Sequence, residues 1–98
     1  MYARTVTVDL DPDRWEEVLA FGSSVKDQIA AFPGLTSWHL VANRATGEGT
    51  SFAVFESEDA FDAVNDEVNA ILADFGQFFT SPPRELLGDV LIAVPENV

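Results

Sequence analysis

Phe32-Pro33-Gly34-Leu35-Thr36-Ser37-Trp38-His39-Leu40-Val41-Ala42-Asn43, then Arg44-Ala45-Thr46-Gly47-Glu48-Gly49-Thr50, then Ser51-Phe52-Ala53-Val54-Phe55-Glu56-Ser57-Glu58-Asp59-Ala60-Phe61, place two aromatic strands between a helix stop and a helix start. Pro33 and Gly34 end the preceding helix, because proline cannot continue the hydrogen-bond ladder and glycine accepts the backbone that follows. Leu35 to Asn43 and Thr50 to Glu56 predict strands, joined by a turn in which Gly47 and Gly49 supply the positive φ a hairpin needs. A hairpin symmetric about Thr46 and Gly47 sets Trp38 directly opposite Phe55 and turns His39 to the other face. Ser57 then caps a second helix, with Glu58 and Asp59 at the positive end of its dipole.

Outward from that stretch, Tyr2 to Leu10 alternates with period two, so Tyr2, Arg4, Val6, Val8 and Leu10 share a face of a first strand. Asp11 and Pro12 open a helix whose apolar stripe is Trp15, Val18, Leu19, Gly22, Val25, Ile29 and Phe32. The second helix carries Phe61, Val64, Val68, Ile71, Leu72 and Phe75 at the same spacing and stops at Gly76. Gln77 to Pro83 reads as a loop anchored by Phe78 and Phe79, and Glu85 to Val94 as a last strand with a bulge at Gly88. The order strand, helix, strand, strand, helix, strand predicts a ferredoxin-like α+β fold, a four-stranded antiparallel sheet with both helices on one face. Val6, Val8, Val41, Phe52 and Val54 are expected on one side of the sheet, and Trp38, Leu40, Ala53 and Phe55 on the other. Two helices cover only one side, so a homodimer through the open sheet face is expected.

With 98 residues the chain makes one domain, 1–98, that buries about two thirds of its unfolded surface. An apolar fraction of 47% and eight Phe place it among folded proteins. No apolar run approaches the roughly 18 residues of a membrane span, and no basic segment followed by an apolar one opens the chain. A soluble, cytoplasmic protein with no membrane partner is expected. The absence of Cys excludes disulfides and thiolate chemistry, and with a single His no metal site is expected. A formal charge of −12, with Lys26 the only lysine, argues against nucleic acid, whose affinity comes from Lys and Arg displacing counterions.

Pro33-Gly34-Leu35 before a strand, the Thr46-Gly47 turn and the run Ala53-Val54-Phe55-Glu56-Ser57-Glu58-Asp59-Ala60-Phe61 resemble the dimeric α+β barrel superfamily, in particular its antibiotic biosynthesis monooxygenase domain. The resemblance implies a ligand cavity between sheet and helices, and an activity such as oxidation of polyketide-type aromatics by dioxygen without metal or flavin. It also implies Trp where this chain has Phe55. Haem-degrading relatives use an Asn on the first strand, that Trp and a His on the second helix. By position this chain offers Thr5, Phe55 and no His, which disfavours haem.

Two readings are open for most candidate residues. His39 titrates near neutrality and suits acid–base work, but as a strand histidine beside a dimer contact it is a structural residue, and the latter reading is favoured. Trp38, Phe55 and Phe61 suit stacking on a planar ring, yet aromatics at such spacing also make ordinary core. Thr5 and Asn65 are candidates for holding a phenol or quinone oxygen, with Asn65 also a weak catalytic candidate. Arg4 and Arg84 suit pairing with an anionic ligand or with a dimer mate, and the mate is favoured. The two functional expectations are therefore a cofactor-independent monooxygenase acting on a small aromatic or quinol-type compound, and a non-catalytic ligand-binding or accessory homodimer.

Overall fold

Alternation in the first strand fixes the layering. Val6 and Val8 are buried while Thr5 and Thr7 are only partly so, as the period of two requires of a strand with one face on the core. The computed structural model describes residues 1–95; positions 96–98 of the expected domain lie outside the described residues. Its elements are β1 (Tyr2–Asp9), a short 3-10 turn (Pro12–Arg14), α1 (Trp15–Ala30), β2 (Leu35–Ala42), β3 (Glu48–Phe55), α2 (Glu58–Phe75), a second 3-10 turn (Gly76–Phe78) and β4 (Arg84–Asp89). The four strands form one antiparallel sheet in the order β2-β3-β1-β4, the ferredoxin-like arrangement. Among the described residues no helix is long and apolar enough to cross a membrane.

Caps and turns are those the residue types dictate. Asp11 accepts from the Asp13 amide at 3.0 Å, and Ser57 accepts from the Ala60 amide at 3.1 Å at the start of α2. The hairpin turn differs from the symmetric expectation. The Asn43 side chain accepts from the Ala45 and Thr46 amides, its backbone exchanges hydrogen bonds with Glu48 and Gly47, and Gly47 alone takes a positive φ of 81°. This Asx turn moves the centre of the hairpin one position toward β2. Trp38 consequently faces Ala53, while Phe55 faces Leu35 beyond a bulge between Leu35 and Ser37. Because the slip is two residues along β3, Trp38 and Phe55 still share a face.

The β1–β3 register corrects the expected membership of the two faces. Tyr2 pairs with Phe55, Arg4 with Ala53 and Val6 with Ser51, so Val6 and Val8 lie with Trp38, Leu40 and Phe55 beneath the helices. Thr5, Thr7, His39, Val41, Phe52 and Val54 occupy the opposite face. β4 is also shorter than expected. It pairs with β1 from Thr7–Arg84 to Tyr2–Asp89, with Gly88 opposite Ala3 in an unbroken ladder, and it ends where β1 does. Leu91, Ile92 and Val94 lie outside the sheet and are exposed.

Two apolar clusters fill the space between layers. One joins Val6, Val8 and Leu10 to Val18, Phe75 and Phe78; the other centres on Phe55, Phe61 and Val64, with Tyr2 and Phe32 against it. Phe78 is the loop anchor expected of it, its ring 5.9 Å from both Phe21 and Phe75. Among the described residues no helix lies over the far side of the sheet, although Val54 is buried there. Val41, Phe52 and Leu86 are 67%, 40% and 68% exposed there.

Candidate functional site

The same alternation that buries Val6 and Val8 carries Arg4 into the interior, where it is only 4% exposed. A guanidinium removed from water needs partners. Arg4 Nη2 donates to Glu85 Oε2 at 2.9 Å and to Asn69 Oδ1 at 3.1 Å, which ties β1 to β4 and to α2. Its carbon centre sits 5.9 Å from the Phe61 ring. These are partners within the chain, not the dimer mate expected from sequence. Arg4 Nε is buried and has no acceptor.

Arg4 forms part of the wall of a cavity of about 90 Å³ between the sheet and both helices. The sheet contributes Val6 and Val8 from β1, Leu35, Trp38 and Leu40 from β2, and Ser51, Ala53 and Phe55 from β3. The helical layer closes it with Ile29, Phe32, Val68, Ile71, Leu72 and Phe75, and Phe79 follows from the loop. The lining is apolar except at three side chains. Trp38 Nε1 donates to Ser51 Oγ at 2.9 Å, so those two satisfy each other, and Arg4 is the charged group among the three. Among the described residues no carboxylate or imidazole lines the cavity.

Of the residues expected to hold a ligand, Trp38 and Phe55 line this cavity. Phe61 does not line it; the ring packs against Phe55 at 5.4 Å and Tyr2 at 5.6 Å as core. Thr5 faces away from the cavity, paired with Phe52 and Leu86 on the open sheet face, because the β1–β3 register sets even-numbered β1 residues beside Phe55. Asn65 is half-buried on α2 and accepts from Asn69 at 3.4 Å, while Asn69 is the residue that reaches Arg4. His39 is exposed on the open face opposite Phe52. Tyr2 is no base for the site: burial, then the carboxylates of Glu58, Asp62, Asp89 and Glu85, raise the pKa of its phenol. Arg4, for which the sequence favoured a dimer mate over an anionic ligand, is the charged side chain of the cavity wall, and its signal was a charge in phase with Val6 and Val8.

No protein-family model matches the sequence, and no curated protein matches it. Solved structures do match the fold. A crystal structure of an antibiotic biosynthesis monooxygenase is 12% identical, covers 94% of this chain and 100% of its own, and superposes with a TM-score of 0.75. The fold is that of the antibiotic biosynthesis monooxygenases. Two further structures share this antibiotic biosynthesis monooxygenase fold. One is a monooxygenase from the gene ActVA-Orf6 of Streptomyces coelicolor in complex with nanaomycin D, 21% identical over 94% of this chain and 92% of that one, TM-score 0.64. The other is SnoaB, a cofactor-independent oxygenase from Streptomyces nogalater in its N63A form, 18% identical over 97% of both chains, TM-score 0.71. Identities this low carry the fold and leave the reaction open.

Proposed function

We propose that this protein is a cofactor-independent monooxygenase acting on a small aromatic or quinol-type compound in the cavity between sheet and helices. The observation that carries this reading is Arg4, a buried guanidinium that forms part of the wall of an otherwise apolar cavity. A phenol or enol bound there loses its proton more readily, because the guanidinium stabilises the oxyanion in a site of low dielectric. The resulting anion is electron-rich enough to reduce dioxygen itself; the two combine at carbon as a peroxide, whose O–O bond breaks to leave a quinone carbonyl and release water. Trp38 and Phe55 supply the ring contacts, and the apolar walls exclude solvent from the peroxide. The reading gains support from fold neighbours that are a cofactor-independent oxygenase and a monooxygenase holding nanaomycin D.

Oxygen uptake with hydroquinone- and anthrone-type substrates tests it. Wild type is expected to exceed buffer, and Arg4→Met to lose about ten-fold or more, the equivalent of one charge-assisted hydrogen bond. Asn65→Ala, off the cavity, is expected to keep the wild-type rate. Uptake no faster than buffer overturns the proposal. The absence of a carboxylate or imidazole from the lining favours a second reading, a non-catalytic small-ligand or accessory protein, for which a phenol binds without oxygen uptake.

Either reading includes a homodimer through the open sheet face, supported by the exposure of Val41, Phe52 and Leu86. Light scattering at micromolar concentration is expected to give twice the 10.7 kDa chain mass, and Phe52→Glu the monomer. A wild-type monomer refutes it.

A further inference from the structure

The cavity described above is small. At about 90 Å³, against roughly 150 Å³ for an engineered cavity that takes up benzene, it admits a single ring only as its walls move apart and has no room for a second. On its outer side, between α1 and the edge strand β2, lies an open groove of about 440 Å³. The two voids share Ile29, Leu35, Trp38 and Leu40, so these side chains form the partition between them. Trp38 is the largest of the four, and the hydrogen bond to Ser51 holds its indole in place.

Two features of the groove bear on an occupant. Gly22 lies in the middle of α1, where glycine costs about 1 kcal/mol relative to alanine, yet a Cβ built there would meet nothing within 4 Å. No neighbour requires the missing side chain, and its absence widens the groove. The rim carries Ser23 and Lys26, and Lys26 is the single lysine of a chain with net charge −12. Among the described residues Lys26 and Arg84 make no ion pair, whereas Arg4, Arg14 and Arg44 each pair with a glutamate.

We propose that the groove is the outer half of a two-compartment ligand site, joined to the inner cavity when Trp38 leaves Ser51, and that its occupant is an elongated polycyclic apolar compound bearing an acidic group for Lys26. This rests on the reading of the inner cavity as a small-ligand site. The reacting ring lies beside Arg4, the rest of the molecule passes Trp38, and the acidic group ends at the rim. Trp38 is then the residue that sets ligand length. Lys26 contributes as an exposed cation, which limits it to a screened attraction that weakens with salt.

The probes are phenol, a single neutral ring; 1-anilinonaphthalene-8-sulfonate, polycyclic and anionic; and N-phenyl-1-naphthylamine, its uncharged counterpart. Binding is followed by Trp38 emission in a Trp15→Phe background. Gly22→Phe, which fills the groove from a helical position open to space, is expected to weaken both naphthyl probes about ten-fold or more and to leave phenol unchanged. Lys26→Gln is expected to weaken the sulfonate about three-fold at low salt, the scale of an exposed charge pair, and not the amine. Ser51→Ala is expected to speed association of the naphthyl probes, and Ser51→Thr, which keeps the acceptor oxygen, to restore the slower rate. If Gly22→Phe leaves naphthyl binding intact, or Lys26→Gln affects sulfonate and amine alike, the two-compartment site is refuted. Phenol binding that depends on Arg4 alongside either of those results would preserve the inner-cavity reading, so the two failures are separable.

Discussion

Removing the carboxylate from the Arg4–Glu85 pair is expected to harm the protein more than removing the guanidinium. Arg4 is 4% exposed and Glu85 38%, so the two ends differ in how easily water replaces the lost partner. In Arg4→Met the charge-assisted bond to Glu85, worth about 1.5–3 kcal/mol, is lost. The offset is of similar size, since a buried ion no longer needs desolvation, Met fills much of the same volume, and Glu85 can turn to solvent. The net change is expected within about 1 kcal/mol. In Glu85→Ala the guanidinium stays buried with Asn69 as its only acceptor and Nε still unpaired. Breaking a fully buried pair this way costs about 3–5 kcal/mol; the water access at Glu85 lowers the expectation to about 2–3 kcal/mol. With a urea m-value of about 1–1.5 kcal/mol/M for a chain of this size, the midpoint falls by roughly 2 M in Glu85→Ala and by less than about 1 M in Arg4→Met. Urea melts followed by circular dichroism at pH 7 read both. An Arg4→Met midpoint as low as that of Glu85→Ala would refute the reasoning, because Arg4 would then be a net structural asset instead of a buried charge retained for the cavity.

Gly47→Ala is expected to cost about 2–4 kcal/mol by thermal melt, since its φ of 81° disfavours a side chain and a Cβ would collide with the Leu10 carbonyl; a loss under about 1 kcal/mol would contradict the turn. Phe55→Ala, at 1% exposure, is expected to cost about 3–5 kcal/mol and to enlarge the cavity it lines, so that urea stability falls while probe capacity rises. Glu17's carboxyl is expected to titrate below the usual glutamate range, because Arg14 donates to it at 2.8 Å. A depressed carboxyl stabilises the fold above its unfolded pKa and loses that contribution as pH falls through the folded value. NMR titration should show the midpoint return to normal in Arg14→Ala, and an unchanged midpoint would refute the assignment.

Element order was legible in this sequence because each boundary carries its own chemistry: Pro33-Gly34 as a stop, Ser57 as a cap, the alternation from Tyr2 to Asp9 as a strand. Facing across strands was not. Which β1 residues stand beside Phe55 depends on a register between strands far apart in the chain, and a slip of one residue exchanges Thr5 for Arg4 on the cavity wall. The hairpin centre was misplaced for a local reason, since Asn43 capping two amides competes with the glycine pair for control of the turn. The length of β4 was overestimated because Leu91 to Val94 has strand-like composition but no neighbouring strand to pair with. Trp38 and Phe55 line the cavity together with Arg4, whose place there rests on that same register.

The contact joining Arg4 to Glu85 spans 81 positions of sequence and closes the first strand of the sheet onto the last. Closing so long a loop carries an entropic cost that local elements such as the β2–β3 hairpin do not bear. The guanidinium is thus fixed only in molecules where the most distant pairing has formed. A compound that depends on Arg4 would bind the finished sheet and ignore partly assembled forms, so its protection against hydrogen exchange should extend to β2 and β4 as much as to the residues it touches.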